Sequence, residues 1–156
     1  MKTRITKKLS LCSIVALFIL SLAAAGLGAE YVSVKNDAVN IRSGPSTNDK
    51  VVWQVFESFP LEIIKRDGQW LNVVDFEGDK GWIYEPLVSS RKSVIVNVDT
   101  ANMRSGPSTN DSIIATVKKG VVFEPFEMKG PWIKVRYKNE LTGWLHNSLV
   151  WPANPL

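Results

Sequence analysis

The chain has 156 residues, 45% of them hydrophobic, with 19 Lys and Arg against 15 Asp and Glu. The whole surplus of basic charge lies in the first 29 residues, as Lys2, Arg4, Lys7 and Lys8, so the rest balances 15 charges of each sign. A near-neutral body excludes binding to nucleic acid or an anionic membrane through a basic surface. Cys12, the only cysteine, falls in the same leading segment, which leaves the remainder without disulfide or thiol chemistry.

Residues 1–29 read as a secretory signal peptide: a basic start, the uncharged run LSLCSIVALFILSLAAAGLGA, and Gly28-Ala29 just ahead of Glu30 as a cleavage point, with Ala25 as a rival. Left uncleaved, Leu9 to Leu27 approaches the minimum of roughly 17 residues for a membrane span, so contact with the membrane is expected only through this segment. Leu11 before Cys12, with most of the apolar run following it, argues against lipidation. The expected place is the periplasm or outside the cell.

From residue 30 the chain reads as short strands separated by turns, without sustained helical periodicity, and the class is all-β. Val32 and Val34 alternate; Val39 and Ile41 share one face, with Asn40 and Arg42 on the other. Gly44-Pro45 interrupts that strand, and Ser46 to Asp49 supply side chains that bond to nearby backbone. Strands follow at Val51–Val55, Leu61–Lys65, Trp70–Asp75 and Lys80–Ile83. Five or six strands in so short a stretch indicate a small barrel.

The decapeptide NIRSGPSTND, Asn40 to Asp49, returns as NMRSGPSTND, Asn102 to Asp111, and the offset of 62 carries Gly68, Trp70, Gly81 and Trp82 onto Gly130, Trp132, Gly143 and Trp144. A period of this length suits a duplicated domain rather than a solenoid repeat. The second copy shows strands at Ile113–Val117, Val121–Phe126, Trp132–Tyr137 and Thr142–Leu145. The few residues between the copies, Ser89 to Lys92, reach at most about 14 Å, which makes the domains neighbours. The tail from Trp151, WPANPL, is too short and Pro-rich to add structure alone. Residues 30–90 hold six basic and ten acidic side chains, residues 91–156 nine and five, which reads either as complementarity favouring docking of the halves or as ordinary surface variation between diverged copies.

The stretch NIRSGPSTNDKVVWQV, followed by PLEIIKRDGQWLNVVDFEGDKGWIYEPLVS, resembles the bacterial SH3-like (SH3b) domain family, and the second copy repeats the pattern. The resemblance implies two small SH3-like β-barrels in tandem, residues 30–89 and 93–151, after the signal peptide. It also implies an exported, non-catalytic module that recognises peptidoglycan peptides or an envelope protein, or a scaffold of an envelope complex without cell-wall affinity. The second copy departs from the first at Ala115, opposite Trp53, and at Tyr137-Lys138-Asn139, opposite Asp75-Phe76-Glu77.

Catalysis lacks parts. His146 is the only histidine, no nucleophile-elbow sequence occurs, and neither zinc nor calcium ligand spacing is present, so no enzyme activity, metal or cofactor is expected. For ligand binding the candidates are Arg42, Trp53 and Tyr84 in the first copy, with Arg104 and His146 in the second. Arg42 and Arg104 offer forked donors to a carboxylate, though an arginine before a Gly-Pro turn serves equally to pin the loop's carbonyls. Trp53 stands out because its counterpart is alanine, so the framework does not need the indole. Gly44, Pro45, Trp70, Gly81 and Trp82 read as framework, as do Gly106, Pro107, Trp132, Gly143 and Trp144.

Overall fold

A computed structural model describes residues 28–156; the predicted signal peptide falls almost entirely outside the described residues. The first unit comprises β1 (Glu30–Val34), β2 (Val39–Arg42), β3 (Val51–Val55), β4 (Pro60–Asp67), β5 (Trp70–Val74), β6 (Lys80–Tyr84), a 3-10 turn at Glu85–Leu87, and β7 (Val88–Ser89). The second repeats it as β8 (Val94–Val96), β9 (Thr100–Arg104), β10 (Ile113–Lys118), β11 (Val122–Lys129), β12 (Trp132–Tyr137), β13 (Leu141–His146), a 3-10 turn at Asn147–Leu149, and β14 (Val150–Trp151). Each unit is one seven-stranded antiparallel sheet, in the orders β3-β2-β6-β5-β4-β1-β7 and β10-β9-β13-β12-β11-β8-β14. The all-β, tandem SH3-like architecture expected from the sequence is the one observed.

Alternation along the strands builds a core in each unit. Ile41, Leu61, Leu71, Val73 and Ile83 are fully buried in the first; Met103, Ile133, Val135 and Leu145 fill the same places in the second. Bulges bend the sheets at equivalent points. The ladder slips between Ile63 and Lys65 and again between Pro125 and Glu127, leaving Ile64 and Phe126 as exposed extra residues. Pro125, which has no ladder donor, is accommodated beside that irregularity.

The two units are packed together, which alternation in β8 explains. Val94 and Val96 face the second core, whereas Ile95 turns the other way and joins the first. Val122 and Trp151 are register partners of Ile95 on either side, and both pack against the first core. A row of three apolar side chains on the second sheet therefore closes the first domain. Trp151 also meets Tyr31 edge-on, ring centroids 5.2 Å apart. Expecting no structure from the tail was wrong: Trp151 has a strand partner in Ile95, and Pro152 and Pro155 are buried.

Beside this row lie two buried hydroxyls. The Ser33 hydroxyl donates to the Arg91 carbonyl at 2.7 Å, so in its 2.6 Å contact with Ser93 it must accept, and Ser93 is the donor. Charge contributes less. Among the described residues the one ion pair between the units is Lys119 to Glu77, at 2.7 Å, and both groups are well exposed, so the pair adds little. Replacing Ile95 by alanine should cost about 2–5 kcal/mol of unfolding free energy in denaturant titration. A change within about 0.5 kcal/mol, the level of ordinary surface substitutions, would show that the residue bridges nothing.

Candidate ligand-binding groove

The repeated RSGPSTND segment folds into the same closed loop twice. The Ser43 amide donates to the Lys50 carbonyl at 2.9 Å and the Asp49 amide to the Ser46 carbonyl at 3.1 Å; Ser105 to Ser112 and Asp111 to Ser108 repeat these distances. The Ser46 and Ser108 hydroxyls accept from the Asn48 and Asn110 amides, each at 3.1 Å. Arg42 Nη1 donates to the Asp49 carbonyl at 2.8 Å, and Arg104 Nη1 to that of Asp111 at 2.7 Å. The pinning role open for both arginines is therefore the one their geometry shows. At Gly44 and Gly106 a Cβ would lie 2.7 Å from the carboxyl carbon of Asp49 or Asp111, so any larger residue must displace that carboxylate.

Strand register then decides which side chains stand outside. Arg42 is opposite Trp82, Trp82 opposite Asn72, and Trp70 opposite Tyr84, so these five share the face turned away from the core. Trp70 and Tyr84 stack at a tilt, centroids 5.5 Å apart. Together with Arg42, Asn40 and Pro45 they line a groove of about 640 Å³, closed at one side by the turn Asn36-Asp37-Ala38. The floor is aromatic and the walls are polar. Asp37 Oδ1 accepts from the Glu57 amide at 2.9 Å, which leaves its second carboxylate oxygen without a partner among the described residues. The Tyr84 hydroxyl donates to Gln69 Oε1 at 3.2 Å and keeps its lone pairs. A carboxylate and an unspent part of a guanidinium flanking two rings suit a peptide with both polar backbone and charged groups.

Trp53 does not belong to this groove. It is the register partner of Ile41, shares its strand face with Val55, and packs half-buried against the first core. Its indole Nε1 is enclosed, with no hydrogen-bond partner among the described residues. The premise drawn from Ala115 fails for a steric reason. In the first unit the far edge of the Trp53 ring lies 3.1 Å from where a Cβ on Gly81 would stand; in the second, Met103 Cγ and Ile114 Cδ1 crowd the same space over Gly143, at 2.6 and 2.7 Å. Neighbours supply the volume that the missing indole would have filled.

The second unit treats its outer face differently. Trp132 is buried, and His146 meets it edge-on with centroids 5.3 Å apart. His146 Nδ1 accepts from the Ser148 amide at 3.3 Å and bonds the Ser148 hydroxyl at 2.8 Å, so the ring caps the following 3-10 turn. Val98, at the place of Asn36, packs against the second core. Of the predicted ligand residues, Arg42 and Tyr84 are thus brought together, Trp53 is directed inward, and Arg104 and His146 hold local structure. Trp70, assigned to the framework, was the missed groove residue; alternation with Leu71 and Val73, both fully buried, was the signal that places it outside.

A family model described as Bacterial SH3 domain matches residues 35–90 and again 97–152. Among curated proteins, "Putative N-acetylmuramoyl-L-alanine amidase YrvJ" of Bacillus subtilis (strain 168) is 27% identical over 128 residues, covering 75% of this chain and 24% of that protein. The chain therefore spans less than two thirds of that relative. Among solved structures, an NlpC/P60 family protein from Bacillus cereus ATCC 10987 aligns over 77% of this chain and 55% of its own, with 14% identity and a TM-score of 0.37. NlpC2 from Trichomonas vaginalis aligns over 78% and 47%, with 14% identity and a TM-score of 0.36.

Substituting alanine for Trp53 should lower the unfolding free energy by about 2–4 kcal/mol, while Tyr84→Ala should stay within about 1 kcal/mol. Equal stability of Trp53→Ala and the parent in thermal and denaturant melts would contradict the inward placement.

Proposed function

The chain belongs to the bacterial SH3 domain family, and from that premise we propose that it is an exported, non-catalytic module whose first domain binds peptides of the cell wall. The observation that carries the reading is the open groove floored by Trp70 and Tyr84, with Arg42 and Asp37 at its sides. Aromatic floors contribute most of the binding energy at such sites, and the polar rim sets orientation. The relative named as an amidase supports the wall as the place of action, because an N-acetylmuramoyl-L-alanine bond joins sugar to peptide there.

Catalysis forms no part of the proposal. The only histidine has its Nδ1 engaged by Ser148, and this chain corresponds to 24% of the relative whose name carries an activity. Residence in the periplasm or outside the cell is part of the same proposal. It rests on the basic and apolar character of residues 1–29.

Sedimentation of the protein with purified peptidoglycan tests the reading. The parent should pellet, and Tyr84→Ala should weaken that binding about tenfold, the loss expected for an aromatic anchor, with folding unchanged. A parent that stays in the supernatant would favour the scaffold role without wall affinity; pelleting indifferent to Tyr84→Ala would remove the groove from the account.

A further inference from the structure

Where the two domains meet, a second concavity of about 650 Å³ opens, lined by Asp37, Phe56 and Glu57 of the first domain and by Arg91, Lys92 and Lys138. The walls have opposite sign. On the acidic side Asp37 is held in place by the Glu57 amide. On the basic side the neighbouring Arg136 is already paired with Glu124 at 2.9 Å, whereas Arg91, Lys92 and Lys138 make no ion pair among the described residues. Unlike charges thus line one concavity without joining.

The buried Ser33 and Ser93 hydroxyls and the row around Ile95 join the domains, and within the concavity beside them the attraction between unlike charges is left unmet by any ion pair among the described residues. A small molecule bearing both charges can satisfy it, gaining one favourable interaction at each wall. Phe56, 43% exposed, and Tyr137, which lines the opposite side, give apolar surface between the charged ends.

We infer that the seam is a second binding site, for a short peptide carrying a free ammonium group and a free carboxylate. The ammonium end lies toward Asp37 and Glu57, the carboxylate toward Arg91, Lys92 and Lys138. The site meets the groove at Asp37, which lines both, but Glu57, Arg91, Lys92 and Lys138 line the seam alone, so it stands whether or not the groove binds the wall. It gives the opposite net charges of the two halves a use that direct docking, with its single ion pair, does not.

The test uses trialanine, N-acetyl-trialanine and trialanine amide, added to isotope-labelled protein and followed by backbone amide shifts. Trialanine should move the amides of Glu57, Ser58, Lys92 and Lys138, and each blocked peptide should bind about fivefold or more weakly, one charged contact being lost. The double variant Arg91→Ala, Lys92→Ala should lose the preference for trialanine over its amide while keeping that over the acetylated form. Glu57→Gln should do the reverse, and Tyr84→Ala should change neither. The Glu57, Arg91 and Lys92 side chains are exposed, so the rest of each seam variant's spectrum should match the parent. Absence of seam shifts, equal binding of the three peptides, or preferences that survive both sets of substitutions would overturn the inference.

Discussion

Strand Val94–Val96 has no face left for solvent, and the arrangement of the whole molecule depends on that. Val94 and Val96 enter one core and Ile95 the other, each fully buried. A three-residue strand committed on both sides leaves the connection between the domains no freedom to swing. A unit of this size buries only about 60% of its unfolded surface when alone, so apolar side chains borrowed from the neighbour matter more here than in a larger domain. The cost of separating the units would be the exposure of Ile95, Val122 and Trp151 together, at about 25 cal/mol for each Å² of apolar area returned to water.

Duplication has preserved geometry rather than chemistry. Both loops place an arginine on the carbonyl of the aspartate seven residues later, at 2.8 and 2.7 Å. Both have glycine where that aspartate's carboxylate approaches the backbone. Where the copies differ, two kinds of change are mixed. Trp53 against Ala115 is compensated inside by Met103 and Ile114, so that mismatch concerns packing. Tyr84 against His146 and Asn36 against Val98 alter the outer face: the first copy keeps an open groove, whereas in the second the imidazole caps a turn and the valine turns inward.

Much of this was legible in the sequence because a half-buried sheet writes its period directly into the chain. The strands around Val39, Trp70 and Lys80 alternate cleanly, and turns at Gly44-Pro45, Asp67-Gly68 and Glu77-Gly78-Asp79 separate them from their neighbours. Alternation sets Trp53 on the face of Val55, whereas comparison with Ala115 points the other way, since the filling of that space by Met103 and Ile114 leaves no trace at the aligned position itself. Strands β8 and β14 were harder to see. A run such as Val-Ile-Val buried on both sides shows no alternation, and Trp151 reads as part of a proline-rich tail until its partner Ile95 is known. The seam cleft was invisible for a related reason: opposite charge in the two halves is readable, but which charged side chains share a concavity depends on how the two domains pack.

The account rests on the two barrels moving as one unit. Backbone 15N relaxation measured separately for amides of the two sheets tests this most directly. The account predicts one rotational correlation time and one diffusion tensor for both, with the amides of Arg91 to Ser93 as rigid as the strands. Two distinct correlation times, or fast motion confined to those connecting residues, would contradict it and remove the basis for a site at the seam.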